Sequence, residues 1–318
     1  MSFESQIKQK GKALGFDLVG ITTADPLEPE YAAYHQQWLD TGCAGRMDYL
    51  HRNNDKRFAP AKLLNGAKSV ICVALNYRAR KEELPAGSPL SVSRYALYDD
   101  YHGFIKSRLF ELAEFIQSLC ADHVIRFKAC TDSIPLAERA LAKRAGLGFI
   151  GHNHLLIHPE LGGQLFLGEL LTTLALEPDA PLDGDFCGAC GKCLAACPSG
   201  ALSQDGTFDA RKCISYLTIE ERDAIDDECA GCLGGRLFGC DECLMACPYE
   251  TDAPPRRNTD LTFHAEWALL SAEAILKWTQ ADFDAALKGS SLERSGLLCL
   301  QRNARLCLGQ KDRNTQLS

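Results

Sequence analysis

The sequence predicts a sheet domain of the α/β or α+β class, then a compact cysteine-rich module, then a helical C-terminal region. Two observations carry this prediction. Helical and strand patterns alternate over residues 1–180 of the 318-residue chain. Ten of the sixteen cysteines then fall between Cys187 and Cys247. We expect domains at 1–180, 181–253 and 254–318, the first two joined by a linker rich in Pro, Asp and Gly at 178–184.

The predicted sheet domain contains elements with clear patterns. Residues 69–77 are rich in β-branched and apolar side chains, which is typical of a buried strand. Residues 101–119 form the clearest helix, because their apolar side chains recur at helical spacing. The other predicted elements are strands at 17–21 and 124–130 and helices at 7–14 and 135–144.

A glycine-rich string at 146–151, GLGFIG, matches the letters of a dinucleotide-binding fingerprint. It follows a predicted helix and precedes a strand-like run, whereas the fingerprint requires a strand before it and a helix after it. We therefore interpret the string as a tight turn.

Composition excludes several classes of protein. A hydrophobic content of 46% with 24% charged residues is typical of a globular chain. The net charge of −8 gives no overall basic character for nucleic acid, although residues 254–318 carry nine Lys and Arg against seven Asp and Glu. Residues 1–10 have no apolar core of a signal peptide, and no apolar run reaches the ~18 residues of a membrane span. We expect a cytoplasmic protein without a membrane contact, and hence reduced, metal-binding cysteines.

The first cysteine run contains Cys187, Cys190, Cys193 and Cys197, followed by Pro198. This C-x₂-C-x₂-C-x₃-C-P spacing is the bacterial ferredoxin pattern, in which three thiolates hold one [4Fe–4S] cluster and the fourth reaches the other cluster. A zinc ribbon would use two separated C-x₂-C pairs and needs no third cysteine at this interval. The run therefore predicts iron–sulfur clusters.

The second run keeps only the last three positions, Cys240, Cys243 and Cys247, because Leu237 stands where the first cysteine would be. A cysteine from elsewhere must complete the second cluster. The crossing rule assigns one cluster to Cys187, Cys190, Cys193 and Cys247, and the other to Cys197, Cys240 and Cys243 with Cys213 as the predicted fourth ligand.

Cys229 and Cys232 form an extra C-x₂-C pair and are alternative candidates for the fourth ligand. Their other interpretation is a free, reduced pair. The remaining cysteines are scattered among apolar neighbours and are predicted to be small buried hydrophobic residues: Cys43, Cys72, Cys120, Cys130, Cys299 and Cys307.

Several further strings, together with the cysteine runs, resemble the epoxyqueuosine reductase family. The most specific is KCISYLTIE at 212–220, which no general ferredoxin requires. The others are RYALYDDYH at 94–102, DSIPLAER at 132–139, GLGFIG at 146–151, FLGE at 166–169 and FGCDEC at 238–243. The resemblance extends from near the N-terminus to about residue 308.

The resemblance implies an α+β fold in which a nitroreductase-like sheet domain and the ferredoxin module hold a cobalamin between them. A HEAT-like helical C-terminal region would help to hold tRNA. The implied activity is the reduction of epoxyqueuosine to queuosine in a tRNA anticodon loop. The two [4Fe–4S] clusters would pass electrons to cobalt, and a flavodoxin or ferredoxin system would supply them to a monomeric enzyme. The resemblance also favours the free-pair interpretation of Cys229 and Cys232, which are not part of the family pattern.

Asp132 matches the family's proposed proton donor. Expelling an epoxide oxygen as water requires protons, and a carboxyl group can supply one near neutral pH if burial raises its pKa. The alternative is structural, because Asp132 or Ser133, with Pro135 just inside the predicted helix, would also make a good N-cap.

By resemblance, five further residues are candidates for cobalamin contacts in addition to Asp132: Arg57, Asn153, His154, Ser215 and Asp241. Each has an ordinary alternative. Arg57 could be a solvated loop charge, His154 a structural histidine, and Ser215 and Asp241 could only hydrogen-bond the cluster loops. One departure from the family lies beside them, since His152 stands where the family usually has lysine.

A basic series in the C-terminal helices, Arg294, Arg302, Arg305 and Lys311, is a candidate for tRNA phosphate contacts, although such series are usually solvated faces. Two other functions remain open. The chain could be a two-cluster electron-transfer protein, but such a protein needs no domain at 1–180. It could instead be a corrinoid reductase for a small molecule, such as a reductive dehalogenase, but those usually carry a twin-arginine export signal.

Overall fold

The computed structural model describes residues 2–85, 90–120 and 124–316, with side chains described up to Gly309. The strands are β1 Leu18–Thr23, β2 Ser69–Asn76, β3 Phe127–Cys130, β4 Phe149–Ile150, β5 Leu156–Ile157 and β6 Leu165–Thr172. The α-helices are α1 Phe3–Ala13, α2 Pro29–Asp40, α3 Asn54–Arg57, α4 Tyr101–Leu119, α5 Glu138–Arg144, α6 Lys192–Ala196, α7 Ile214–Ile219, α8 Asp227–Gly231, α9 Glu242–Met245, α10 Ala272–Ile275, α11 Gln280–Leu287 and α12 Gly296–Gln316.

Short 3₁₀ helices supplement these elements. They are Asp48–His51, Pro60–Lys62, Lys81–Glu83, Arg94–Ala96, Ala210–Lys212, Pro248–Glu250, Ala265–Leu269 and Ser291–Ser295. No helix among the described residues is both long enough and apolar enough to cross a membrane.

The main sheet has four strands in the order β1-β2-β6-β3, and every pair in it is antiparallel. This arrangement confirms the α+β class. Strand β2 is buried along its whole length because both faces of the sheet are covered. On one face, Ile105 and Leu109 of α4 join the larger core. On the other face, Leu141 of α5 packs with Cys72 of β2.

Several sequence predictions need correction at their boundaries. Helix α5 begins at Glu138, not at Pro135. Strand β3 begins at Phe127, not at Val124. The C-terminal region becomes helical only at Ala265, well after the Pro254-Pro255 pair. Cys120 is only half-buried, whereas the other five scattered cysteines are buried as expected.

The glycine string at 146–151 is a turn, as predicted. Gly146 has φ +76° and lies just after α5, and a Cβ there would come 2.6 Å from the carbonyl oxygen of Ala180. Only glycine adopts this conformation without strain at such close approach. The chain continues into β4 rather than into a helix.

The cysteine module packs against the sheet domain through an aromatic contact. Phe149 of β4 stacks on Phe186 with ring centroids 4.6 Å apart, and Cys247 belongs to the same small apolar cluster. Helix α12 anchors the C-terminal region, because Asn303 Nδ2 donates to the carbonyl oxygens of Thr218 at 2.9 Å and Leu237 at 2.8 Å. The larger core includes residues from all three predicted segments, so the boundaries at 180 and 253 stay a prediction.

Candidate active site and thiol clusters

The first predicted ligand set is gathered in one place. Burial raises the pKa of the Cys247 thiol, and the neighbouring Cys187 and Cys193 raise it further. Burial likewise raises the pKa of Cys193, with Cys187 and Cys190 contributing. These four thiols are therefore close enough to act on one another, although Cys247 lies more than fifty residues along the chain from the rest.

The second set is gathered in the same way around Cys213. Burial raises the pKa of Cys240 to about 11, and Cys213 contributes. The pKa of Cys243 is also raised by burial and then by Cys213, Cys240 and Cys197. By contrast, the thiol that acts on Cys229 is its own neighbour Cys232. Cys213 thus lies with the three cysteines that needed a fourth partner.

Backbone amides support the thiols of this second set. Burial raises the pKa of Cys197, but N–H groups of Ser199, Ala201 and Leu202 outweigh it and lower the pKa overall. Such N–H···S contacts stabilise thiolates and tune cluster potentials. Among the described residues no three Cys, His, Asp or Glu side chains converge closely enough to hold a single metal ion. The assignment of these two groups of four thiols to two cubane clusters stays a prediction.

Residues 151–153 join the turn of the sheet domain to both cysteine runs. His152 Nδ1 lies 2.9 Å from the carbonyl oxygen of Cys190, and Asn153 Nδ2 donates to the carbonyl oxygen of Cys243 at 3.2 Å. A Cβ at Gly151 would lie 3.7 Å from Cys187 Sγ and would clash with Ile157. The histidine that departs from the family pattern therefore contacts the cysteine module.

Asp132 lies on the turn between β3 and α5, in the left-handed backbone region with φ +50°. Two hydrogen bonds hold this conformation: Asp132 N–H donates to Glu138 Oε1 at 2.5 Å, and Thr131 Oγ1 donates to the carbonyl oxygen of Leu167 at 2.8 Å. The Asp132 side chain is 58% exposed, so its carboxyl group faces an open site.

His102, near the start of α4, holds the Asp132 carboxylate. Its Nε2 lies 3.0 Å from Asp132 Oδ2, and its Nδ1 lies 2.5 Å from Asp100 Oδ1. A neutral imidazole can donate from only one nitrogen, so two carboxylate neighbours favour the doubly protonated ring. The bond to Asp132 raises the pKa of His102 against the opposing effect of burial, and Asp100 adds to the increase.

The pKa of Asp132 is lowered, whereas a proton donor near neutral pH was expected to have a raised pKa. The His102 hydrogen bond lowers it, and burial raises it by less. The proton shared by this pair therefore resides on the His102 imidazolium and not on the Asp132 carboxyl group. The helix-cap alternative is wrong, because α5 begins six residues after Asp132 with Ala137 at its N-cap and no side-chain capping bond.

The structure shows the surroundings of Arg57 and His154, which were both predicted from the sequence. The Nε of Arg57 is buried without a hydrogen-bond partner among the described residues, and burial lowers the pKa of this guanidinium. His154, at φ +61°, stacks on Tyr34 with ring centroids 5.9 Å apart. Its carbonyl oxygen accepts a bond from Arg139, whose guanidinium feels the charge of Asp132.

Asp241 and Ser215 serve the module in different ways. Asp241 accepts a bond from the Arg94 N–H at 2.8 Å and another from Ser93 Oγ, so its carboxylate is committed to the 3₁₀ helix at Arg94. Burial raises the pKa of Cys213, and the backbone N–H groups of Tyr216 and Ser215 oppose that increase. Whether either also contacts a cofactor stays a prediction.

Sequence reasoning missed three residues around Asp132, namely His102, Glu138 and Tyr49, and it predicted Arg294 only as a phosphate contact. Arg294 Nε donates to Glu220 Oε1 at 2.6 Å, its guanidinium lies 5.7 Å from the Tyr49 ring centroid, and its charge lowers the pKa of Asp132. His102 and Glu138 stand inside strings that carried the family resemblance, and this placement was the available signal.

The four residues of the basic series have different surroundings in the structure. Arg302 donates to the carbonyl oxygens of Leu217, Glu221 and Asp223 at 2.6–2.7 Å, so its expected role as a phosphate contact is replaced by a structural one. Arg294 belongs to the Asp132 site, and Arg305 is exposed. Lys311 lies outside the residues whose side chains are described.

Comparison with known proteins gives consistent matches over nearly the whole chain. The family model for Epoxyqueuosine reductase QueG, DUF1730, matches residues 57–133, and that for a 4Fe-4S double cluster binding domain matches residues 186–250. Epoxyqueuosine reductases of Pseudomonas aeruginosa and Gloeobacter violaceus are each 39% identical to this chain. The matches cover 95% of this chain and 84% of the first relative, and 96% and 95% for the second.

Solved structures agree with these matches. An epoxyqueuosine reductase with an epoxyqueuosine-modified tRNA stem loop superposes with a TM-score of 0.88 at 32% identity, covering 96% of this chain and 81% of that one. The Streptococcus thermophilus enzyme gives 0.87 at 31%, covering 100% and 84%.

The α+β sheet domain with its docked double-cluster module defines an iron–sulfur oxidoreductase. At 39% identity over almost its whole length, the chain belongs to the epoxyqueuosine reductase family.

Proposed function

We propose that this protein reduces epoxyqueuosine to queuosine in the anticodon loop of tRNA. The observation that carries the proposal is the pairing of two four-thiol groups with the Asp132–His102 site in one chain. Relatives named for this activity, one of them solved with a modified tRNA stem loop, support it. The reaction consumes two electrons and two protons and releases the epoxide oxygen as water.

The eight cysteines named above are the proposed ligands of two [4Fe–4S] clusters, which supply electrons when bound. Cobalamin is the proposed second cofactor and supplies the reducing centre at the substrate. The buried, unpartnered Nε of Arg57 and the polar and aromatic groups of His154 and Tyr34 suit a large polar ligand. Asn153 joins the sheet domain to a cluster loop, and Ser215 follows the proposed ligand Cys213 by two residues.

Within this site, Asp132 and His102 hold the proton that is transferred to the substrate. Asp132 is exposed toward the open site, while His102 stands behind it as a cation held by two carboxylates. As the epoxide oxygen gains charge, the pair can deliver the imidazolium proton through Asp132 to that oxygen. Arg294 adds positive charge nearby and helps to lower the pKa of Asp132, after the larger effect of His102.

Other parts of the proposal concern partners. We expect a flavodoxin or ferredoxin system as the electron donor, a monomeric enzyme and a cytoplasmic location. The exposed Arg305 and the positive charge of residues 254–318 support a tRNA contact on the C-terminal region.

The test is a single-turnover assay. Anaerobically reconstituted protein is loaded with cobalamin, reduced and mixed with an epoxyqueuosine-modified stem loop, and the nucleosides are then analysed by mass spectrometry. Queuosine should form in proportion to enzyme, and an Asp132→Asn variant with the same iron content should form far less. If the reduced, fully loaded protein leaves the modified nucleoside intact, electron transfer to a partner or reduction of a small molecule becomes the better account.

A further inference from the structure

A pair of carboxyl groups lies behind the Asp132 turn, inside the protein. Glu169, at the centre of β6, is 0% exposed. Its cross-strand partners are Cys72 on β2 and Cys130 on β3, and directly opposed residues of a sheet point to the same face. Neither Glu169 oxygen has a conventional hydrogen-bond partner among the described residues. An ionised carboxylate there would have no donor among the described residues other than a protonated carboxyl group beside it.

Glu138 is the second member of this pair. It begins α5, which covers the face of the sheet that carries Glu169. The two carboxyl groups are near enough that each affects the ionisation of the other. Glu138 also faces outward to the active site, because its Oε1 accepts the Asp132 N–H at 2.5 Å. The pair therefore connects the sheet interior to the turn that holds the acid.

We propose that Glu138 and Glu169 retain a shared proton at neutral pH and that, through it, Glu138 serves as a positioning residue for Asp132. Two adjacent carboxyl groups in an apolar interior cannot both ionise, so one stays protonated and donates to the other. A Glu138 side chain fixed in this way keeps its second oxygen directed at the Asp132 N–H. The bond stabilises a left-handed aspartate that would otherwise be strained.

The ionisation behaviour agrees with this geometry. Burial raises the pKa of Glu138 to about 7, and the charge of Asp132 adds to the increase. Burial raises the pKa of Glu169 well above its ordinary value, with the charge of Glu138 as the second cause. Glu169 therefore keeps its proton while Glu138 ionises near neutral pH. Cys72, Cys130 and Asp132 also face the pair. Among the described residues the cation that acts on Glu138 is Arg139, whose charge lowers the pKa of Glu138 by less than burial and Asp132 raise it.

The first test needs no turnover. A buried protonated carboxyl group gives a C=O stretching band in the infrared spectrum that shifts in D₂O. We expect this band in the wild type at pH 7, its loss in Glu169→Gln, and no change in the exposed control Glu114→Gln. If Glu169→Gln does not fold, Glu138→Gln serves instead and should move the band without removing it. A wild type without the band, or a band indifferent to these changes, overturns the shared proton.

The second test rests on the proposed reductase function. Glu138→Gln keeps an oxygen for the Asp132 N–H, so it should recover most of the kcat that Glu138→Ala loses, but its pH–rate profile should lose the ionisation near pH 7. Glu138→Ala removes the acceptor and should lower kcat about 10²-fold, the usual effect of a misplaced catalytic group, with KM unchanged. Wild-type kcat in Glu138→Ala overturns the positioning role. If neither the wild type nor any variant turns over, the proposed reductase function fails. The infrared result still tests the shared proton of Glu138 and Glu169, so the two failures are distinguishable.

Discussion

His102 Nε2 lies 3.0 Å from Asp132 Oδ2, while the other ring nitrogen of His102 lies 2.5 Å from Asp100 Oδ1. The imidazole thus bridges two carboxylates that come from different elements, one before α4 and one after β3. Each carboxylate stabilises the positive ring, and the ring in turn stabilises the ionised Asp132. The acid of this site is therefore a coupled pair, and its titration belongs to both residues.

Asp132→Asn should lower the rate of the chemical step by about 10²–10⁴-fold, the usual effect of losing a general acid. Asparagine tolerates the left-handed backbone at this position, so the turn should survive. The measurement is single-turnover queuosine formation, with iron content and cobalamin binding as controls. A variant that turns over like the wild type would leave Asp132 without a role in proton transfer.

His102→Gln should alter the pH dependence as well as the rate. Glutamine can still donate to Asp132, but it neither carries a positive charge nor titrates near neutrality. The wild type should lose activity as pH rises through the raised pKa of His102, because the imidazolium proton is then absent. In His102→Gln this alkaline decline should disappear and the plateau should be lower. An unchanged pH–rate profile would show that the proton does not come from His102.

Stability should depend on pH through the same pair. The pKa of His102 is raised, so its contribution is present below the ordinary value of 6.5 and lost as pH rises through the folded value. The pKa of Asp132 is lowered, so its contribution is present above 3.8 and lost as pH falls through the folded value. The unfolding temperature of the wild type should therefore exceed that of His102→Gln by the largest amount between pH 3.8 and pH 6.5. A difference independent of pH would contradict the ion pair.

The sequence predicted the features that depend on local spacing. The two cysteine runs specify seven of the eight predicted ligands within a few residues, whereas Cys213 had to be chosen among candidates elsewhere in the chain. The α4 helix was also predicted with its observed bounds, because its apolar face repeats over five turns. Local pattern determines such features almost entirely.

The sequence could not predict the partners that folding brings together. His102 meets Asp132 across thirty residues, and Glu138 meets Glu169 across thirty-one. Neither pair has a local pattern, because the contact depends on how α4 and α5 lie on the sheet. The basic series misled for the same reason. The series was predicted from its charge alone, and the charge did not show that Arg302 would donate to backbone carbonyl oxygens.

The choice of Cys213 as fourth ligand can be tested against Cys229 and Cys232. Cys213→Ser should lose the second cluster, because Cys213 lies with Cys240 and Cys243. The matched control is the double change Cys229→Ser and Cys232→Ser, which should leave about eight irons per chain, as two [4Fe–4S] clusters require. Iron and sulfide analysis after anaerobic reconstitution measures both. Cluster loss in the double variant, with retention in Cys213→Ser, would reverse the assignment.

Substitutions at Arg302 and Arg305 should have different effects, because Arg302 has a structural role in helix α12 and Arg305 is expected to contact tRNA. Arg302→Leu removes donors from three backbone carbonyls, so it should lower the free energy of unfolding by ~1–3 kcal/mol, measured by denaturant unfolding. Arg305→Glu changes an exposed side chain and should leave unfolding unchanged.

The same Arg305→Glu variant should weaken binding of a modified stem loop, because it removes a positive charge from the surface that we expect to face phosphates. Each lost phosphate contact should flatten the slope of log affinity against log salt by roughly 0.7–0.9. Lys277→Glu, an equal charge change at an exposed position just after α10, is the matched control and should keep the wild-type slope. Equal slopes for Arg305→Glu and the wild type would remove this face of α12 from the tRNA surface. Equal losses in both variants would show that only net charge matters.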